Sequence, residues 1–560
     1  MDVESLDRKI ERLGEHKKKW AVLDISEKIR LLEGFVDRYV EIAESQVREA
    51  VEQKGFEAGS IGEGEEWIGG PLVAVRTGRL LLETLESIRD KGRPPVEMSE
   101  VRERPSGQLA VEVFPTNFWD RLLFSGFSAE VWLDPEVDRN NLFDHIGSFY
   151  RQEDPEGGVN LVLGAGNVSS IAPLDVLAKL YNEGHVCLLK MNPVNDYLGD
   201  YYETVFEEFV DAGFVEFAYG GADVGSYLCE HEGIEYIHMT GSDKTHDAIV
   251  FGTGDEGEER QEENNPKLDK PITSELGNVS PVIVVPGPWS KDDIEFHAES
   301  VASQLANNAG FNCDAVRVLI MPKDWDRREA FMEALRKTFA EIEPRSAYYP
   351  GAEEIYERFT EFDEETVTVG DADDDELPYA IILNVDPNDE DHPAFRDEAW
   401  CTVMAETRLP GNDPGEFLRN AVDFCNDVLW GTLNASVVIH PETRRDLGVT
   451  VDDAIDDLLY GTIVLNHWPA VGYGLGVTPW GAYPGHTLDN IQSGIGFVHN
   501  TLMFDNPQKT VVYGPFRVSP KPPWFATNEN TPAVGPKLVE MEHNPSFGHF
   551  FSVTWSSLFG

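Results

Sequence analysis

The residues of this chain best equipped for chemistry are Glu275, in Ser274-Glu275-Leu276-Gly277-Asn278-Val279-Ser280-Pro281, and Cys313, in Asn307-Asn308-Ala309-Gly310-Phe311-Asn312-Cys313-Asp314-Ala315-Val316-Arg317. A thiolate adds to an electrophilic carbonyl where neutral water does not. A carboxylate that later activates water then splits one hard acyl-transfer step into two easier ones. A lone free cysteine behaves mostly as a small buried hydrophobe. Cys313, however, lies in a small, polar, glycine-containing stretch that exposes backbone N–H groups and suits a reacting centre.

Two turns add donors. Gly164-Ala165-Gly166-Asn167 lies between an apolar run and a helical pattern. It is a poor dinucleotide fingerprint, because its sixth position is Ser169 and the chain offers Lys190 about 20 residues on where a ribose-binding acid is expected. Asn167 on such a turn can instead aim its side-chain N–H at an oxyanion. Thr240-Gly241-Ser242, before another helical pattern, can present backbone donors and a helix N-terminus to a pyrophosphate.

The elements that must position these residues follow from periodicity. Leu6, Ile10 and Leu13, then Ile29, Leu32, Phe35, Val36 and Tyr39, recur at helical spacing, so residues 5–54 are predicted helical. Runs at 109–114 and 129–133, bounded by Pro115 and Pro135, read as strands. Strand and helix then alternate: strand 159–163, helix 171–181, strand 186–189, helix 201–209, strand 215–219. This is the signature of parallel βαβ units. A second α/β unit begins near residue 275, with a helix over 291–308 before the cysteine loop and a strand at 317–320. The acidic runs 255–263 and 371–376 are expected to be solvated loops. The last sixty residues, rich in Pro, Phe and Trp, are expected to wrap the molecule as a tail.

Composition bounds the partners. The chain has 560 residues, enough for two or three domains. Its 101 acidic residues against 45 basic ones give a net charge of −56, which argues against nucleic acid as a partner. The acids are spread throughout while 41% of the chain stays hydrophobic. This is the pattern of a folded protein adapted to high salt, where the Debye length falls to about 3 Å at molar ionic strength. Cys187, Cys229, Cys313, Cys401 and Cys425 form no CxxC pair and no metal-ligand spacing with His, so no metal is expected and a reducing compartment is. Met1-Asp2-Val3-Glu4 opens without a basic segment and an apolar run, and no stretch approaches a membrane span, so a cytoplasmic location is expected.

Taken in order, Asn167, Lys190, Gly241-Ser242, Glu275-Leu276-Gly277, Asn312-Cys313 and Glu398-Ala399-Trp400 resemble the motif set of the aldehyde dehydrogenase superfamily over roughly residues 15–500. The resemblance implies an α/β fold with a Rossmann-like cofactor domain (1–274, with arm strands near 107–133) and a catalytic α/β domain (275–465). Residues 466–560 would return to the cofactor domain, the arm and a C-terminal tail. It implies Cys313 as nucleophile, Glu275 as base and Asn167 as oxyanion donor. Lys190 and Glu398 would hold ribose hydroxyls and Ser242 the pyrophosphate, with Gly241 and Trp400 beside the cofactor. The activity implied is NAD- or NADP-dependent oxidation of an aldehyde to an acid, in a homodimer or homotetramer assembled through the β arm.

The chain departs from the family at Asn278 and Val279, which replace a glycine and a lysine, and at Trp400-Cys401-Thr402, which replaces Phe-Gly-Pro. At Lys190-Met191-Asn192-Pro193 the acid that would repel a 2′-phosphate is missing. Two alternatives stand beside hydrolytic oxidation: a CoA-acylating dehydrogenase or acyl-CoA reductase, and an inactive scaffold of the same fold. Trp67, Phe118, Trp119, Phe124, Phe127 and Trp480 are the aromatics available to line a substrate tunnel.

Overall fold

The computed structural model describes residues 2–362 and 365–559, so Met1 of the opening run lies outside the described residues. Six strands form the first sheet, in the order Gly494–Ile495, Ile272–Leu276, Tyr236–Gly241, Gly158–Leu163, His185–Lys190, Val215–Ala218. All pair in parallel except the short edge 494–495. Central parallel strands are covered by helices, and Gly158–Leu163 and His185–Lys190 are accordingly mostly apolar. The helices Val3–Ala21 and Ile171–Tyr181 pack on them. Trp20 meets Tyr181 edge to face at 5.3 Å and donates its indole N–H to Leu180 O at 2.9 Å, pinning the first helix to the sheet layer.

The second sheet has eleven strands, and its middle is parallel: Pro507–Tyr513, Thr462–Leu465, Asn434–Val438, Pro281–Val284, Val318–Pro322, Val403–Leu409, Tyr379–Val385. The strands read as an arm are Leu109–Phe114 and Ser128–Leu133, joined by Val101–Glu103. They form an antiparallel unit that pairs through Pro507–Tyr513 with the catalytic sheet of their own chain. The boundary between the two sheets falls between Leu276 and Pro281, so Glu275 ends the first sheet and Cys313 precedes a strand of the second.

Three expectations change. The acidic run 255–263 is exposed but is the helix Gly254–Glu262 rather than a loop. Asp255 and Glu256 in its first turn favour the helix dipole, and Arg260 pairs with Glu256 at 2.6 Å across one turn. The predicted helix 201–209 is two short ones, Gly199–Val205 and Glu207–Ala212. The tail holds two helices, Thr531–His543 and Phe547–Phe559. The first is part of the core: it packs on Ile61–Trp67 and Val73–Lys91, and the buried Arg76 donates to Asp120 at 3.0 Å and to Glu542 at 2.6 Å. Among the described residues no helix is long and apolar enough to cross a membrane.

Candidate active site

One cavity of about 620 Å³ lies between the sheets and is lined by Asn167, Lys190, Gly241, Ser242, Glu275, Gly277, Cys313, Glu398 and Trp400. Every residue singled out from the sequence for catalysis or cofactor binding is therefore in one place. The parallel strands His185–Lys190 and Tyr236–Gly241 deliver Lys190 and Gly241 at their C-terminal ends, where open α/β sheets bind ligands. Ser242 caps the helix Asp243–Val250 by accepting from Thr245 N at 3.2 Å.

Cys313 and Glu275 line the same cavity, close enough that each carboxyl and thiol influences the other's titration. Burial pushes the Cys313 thiol well above its usual range, and the Glu275, Asp314 and Glu398 carboxyls add to it. Burial also pushes Glu275 up to about 8, against the pull of a 3.0 Å hydrogen bond donated by Trp480 Nε1 to Glu275 Oε1. Trp480, singled out only as a tunnel aromatic, is thus a direct partner of the carboxylate. Phe118 is exposed, whereas Phe127 is core.

The cysteine loop is over-determined. Asn308 and Ala309 adopt φ of 52° and 55°, a left-handed turn costly for any side chain, which the surroundings must hold. Asn308 Nδ2 donates to Asn167 O at 3.1 Å and Asn312 Oδ1 at 3.1 Å, and Asn308 N donates to Glu65 Oε2 at 3.0 Å. Lys54 Nζ reaches Glu66 at 2.6 Å, Asn167 O at 2.8 Å and Asn308 Oδ1 at 3.0 Å, so a buried cation ties the first helical layer to both loops. Asn167 Nδ2 donates one hydrogen to Phe311 O at 2.9 Å, which fixes the amide and leaves its second N–H free for the cavity.

The unusual Asn278 has a structural role. Asn434 Nδ2 donates to Asn278 Oδ1 at 3.2 Å and to Cys313 O at 3.1 Å, while Asn278 Nδ2 donates to Asn434 O at 3.0 Å. The pair brackets the nucleophile's backbone. Arg317 donates to Gly310 O and Cys401 O, both at 2.7 Å, joining the cysteine loop to the Trp400-Cys401-Thr402 segment. Lys54, Asn278, Asn308 and Arg317 escaped sequence reading because a key partner of each, Asn167, Asn434, Glu65 and Cys401 in turn, is far away in the chain.

The donor set fits a dinucleotide. Glu398 Oε1 is buried without a hydrogen-bond partner, an acceptor left for a ribose hydroxyl. Gly277 is required by the approach of that carboxylate: a Cβ there would lie 2.0 Å from Glu398 Oε2. Lys190 has burial as the first influence on its ammonium, which lowers its pKa, with Asp223 and Asp196 opposing this.

Residues 147–351 match the model of the aldehyde dehydrogenase family, a stretch that includes Asn167, Lys190, Gly241, Ser242, Glu275 and Cys313 but not Glu398 or Trp400. An N-succinylglutamate 5-semialdehyde dehydrogenase of Novosphingobium aromaticivorans is 27% identical over 165 residues, 29% of this chain and only 32% of that relative's length. Among solved structures, the NADP-dependent glyceraldehyde-3-phosphate dehydrogenase from Bacillus halodurans C-125, complexed with NADP, superposes with a TM-score of 0.60 at 16% identity, over 91% of each chain. The NAD-dependent aldehyde dehydrogenase from Sinorhizobium meliloti gives a TM-score of 0.60 at 15% identity, over 93% of this chain and 89% of that one. The chain has the aldehyde dehydrogenase fold over nearly its whole length. In sequence, its residues 147–351 are similar to the aldehyde dehydrogenase family.

Proposed function

We propose that this protein oxidises an aldehyde to a carboxylic acid with NAD or NADP, through a thioester on Cys313. The observation that carries this reading is that Cys313 and Glu275 line one cavity that also gathers Lys190, Ser242 and Glu398. Glu275 takes the thiol proton as the sulfur adds to the carbonyl. The free N–H of Asn167 and the Cys313 backbone N–H stabilise the alkoxide. Lys190 and Glu398 hold ribose hydroxyls, and Ser242 with the helix N-terminus behind it holds the pyrophosphate. A bound nicotinamide dinucleotide supplies the hydride acceptor. After releasing the thiol's proton to solvent, Glu275 takes a proton from water as its oxygen adds to the thioester, and collapse of the adduct breaks the C–S bond to free the acid and the sulfur of Cys313.

The presence of a carboxyl base in the same cavity as the sulfur favours water over a thiol as the final acceptor. The spread of acidic residues supports work in a salt-rich cytoplasm, and the passage from the first sheet to the second between Leu276 and Pro281 supports a domain division near 274. In molar KCl the protein is expected to reduce NAD or NADP with a panel of aldehydes, and Cys313→Ser is expected to abolish this. Activity surviving that change discards the covalent mechanism. Acceleration by free CoA with release of acyl-CoA assigns the acyl acceptor to a thiol instead.

A further inference from the structure

A polar seam runs through the otherwise apolar layer between the helix Ile171–Tyr181 and the first sheet. Register pairs His238 with Thr273 and Thr240 with Glu275 on adjacent parallel strands. In a parallel pair, register partners point to the same face, and so do residues two apart. His238, Thr240, Thr273 and Glu275 therefore form a polar quartet on one face of the sheet. The helix presents Asp175 and Lys179, one turn apart, to that quartet, and Glu183 follows in the turn beyond.

The contacts run outward from Asp175, which the register sets next to Glu275. Thr240 Oγ1 donates to Asp175 Oδ2 at 2.9 Å, which places Asp175 beside Glu275 on the shared face. Asp175 Oδ2 lies 3.6 Å from His238 Nε2, and His238 Nδ1 meets Thr273 Oγ1 at 2.9 Å. Lys179 Nζ donates to Thr273 Oγ1 at 3.0 Å and to Glu183 Oε1 at 2.6 Å. Asp175, Lys179 and His238 are no more than 2% exposed, whereas the Glu183 side chain is 38% exposed. One end of the seam is the candidate base and the other is solvent.

Burying these groups costs free energy that Leu or Val in their place would not. Two atoms in the seam, Asp175 Oδ1 and His238 Nε2, are buried without a hydrogen-bond partner. Burial first, and then the Lys179 ammonium, hold His238 below its usual range, so it rests as a neutral imidazole with one nitrogen free to accept.

Resting on the hydrolytic reading above, we propose that Asp175, His238, Thr273, Lys179 and Glu183 relay to solvent the proton that Glu275 gains when it activates water. As water adds to the thioester, one O–H bond breaks and Glu275 takes the proton, while collapse of the adduct breaks the C–S bond. Glu275 passes its proton to Asp175, and Asp175 passes one to His238 Nε2. His238 releases the proton on Nδ1 to Thr273, whose hydroxyl hands one to Lys179 as Lys179 gives one to Glu183 and thence to water. Each hop breaks one O–H or N–H bond and makes the next, with no change of oxidation state.

The test separates hydride transfer from deacylation. Pre-steady-state formation of reduced nicotinamide is followed in wild type, Asp175→Asn, His238→Gln and the shape-conserving Thr273→Val, with and without hydroxylamine, which accepts the acyl group without a base. The expected result is an unchanged burst with steady-state turnover down about tenfold or more, restoration by hydroxylamine, and loss of the multi-proton solvent isotope effect seen in wild type. Turnover and isotope effect unchanged in all three variants overturn the relay while leaving the hydrolytic reading intact. Wild type with no burst and no acyl-enzyme removes that reading and the relay with it.

Discussion

Trp480 donates its indole N–H to Glu275 Oε1 at 3.0 Å, linking a residue of the C-terminal return to the last parallel strand of the first sheet across 205 positions. The bond stabilises the carboxylate form, so it opposes the burial that lifts Glu275 to about 8. A hydrogen bond to a charged group contributes about 1.5–3 kcal/mol, equivalent to about one to two pH units.

Trp480→Phe is therefore expected to lift Glu275 further. Base catalysis needs the carboxylate, so the rate should rise with pH through about 8 in wild type and through a more alkaline midpoint in the variant. A pH–kcat profile measures this directly. A variant whose midpoint stays put or moves to lower pH contradicts the assignment of Glu275 as base.

Gly277→Ala places a methyl 2.0 Å from Glu398 Oε2, so the carboxylate must leave its position. Cofactor KM should rise about tenfold, corresponding to about 1.4 kcal/mol, while alkylation of Cys313 by iodoacetamide proceeds at the wild-type rate. Equal loss of both would place Glu398 in support of the cysteine loop instead.

Lys54→Met strands Glu66 as a buried carboxylate without its cation. Breaking a buried pair from one side costs about 3–5 kcal/mol. Thermal unfolding should show a fall of several degrees, and adding Glu66→Leu should recover much of it. Loss that deepens in the double variant would contradict the pairing seen at 2.6 Å.

The net charge of −56 makes a prediction about salt. Self-repulsion destabilises the compact state and is screened as KCl rises from about 0.1 to about 3 M. The melting temperature should climb over that range, and a flat or falling trend removes the halophilic reading.

The α/β alternation was legible because central parallel strands carry runs such as Val159–Leu163 that need no partner to be recognised. Glu275, Cys313 and the turn residues were legible because their chemistry is local: a nucleophile in a small polar loop, glycines where a chain must bend. Lys54 and Asn278 were not, because each acts through contacts with segments more than a hundred residues away. Asp175 and Lys179 did leave a signal, two charges one turn apart in a helix otherwise buried and apolar. The helix at 254–262 was misread because lack of apolar residues marks solvent exposure, which a surface helix shares with a loop.

Among the described residues, Pro507–Tyr513 is the strand that pairs with both Ser128–Leu133 and Thr462–Leu465. While the protein is being synthesised, the early strands must wait with an unsatisfied flank until residue 513 emerges, and the late ones wait likewise. Closure of the long sheet is then a final zipping event of very high sequence separation, which makes it slow. Any chaperone need this protein has should centre on that interval, when two raw edges face the crowded cell.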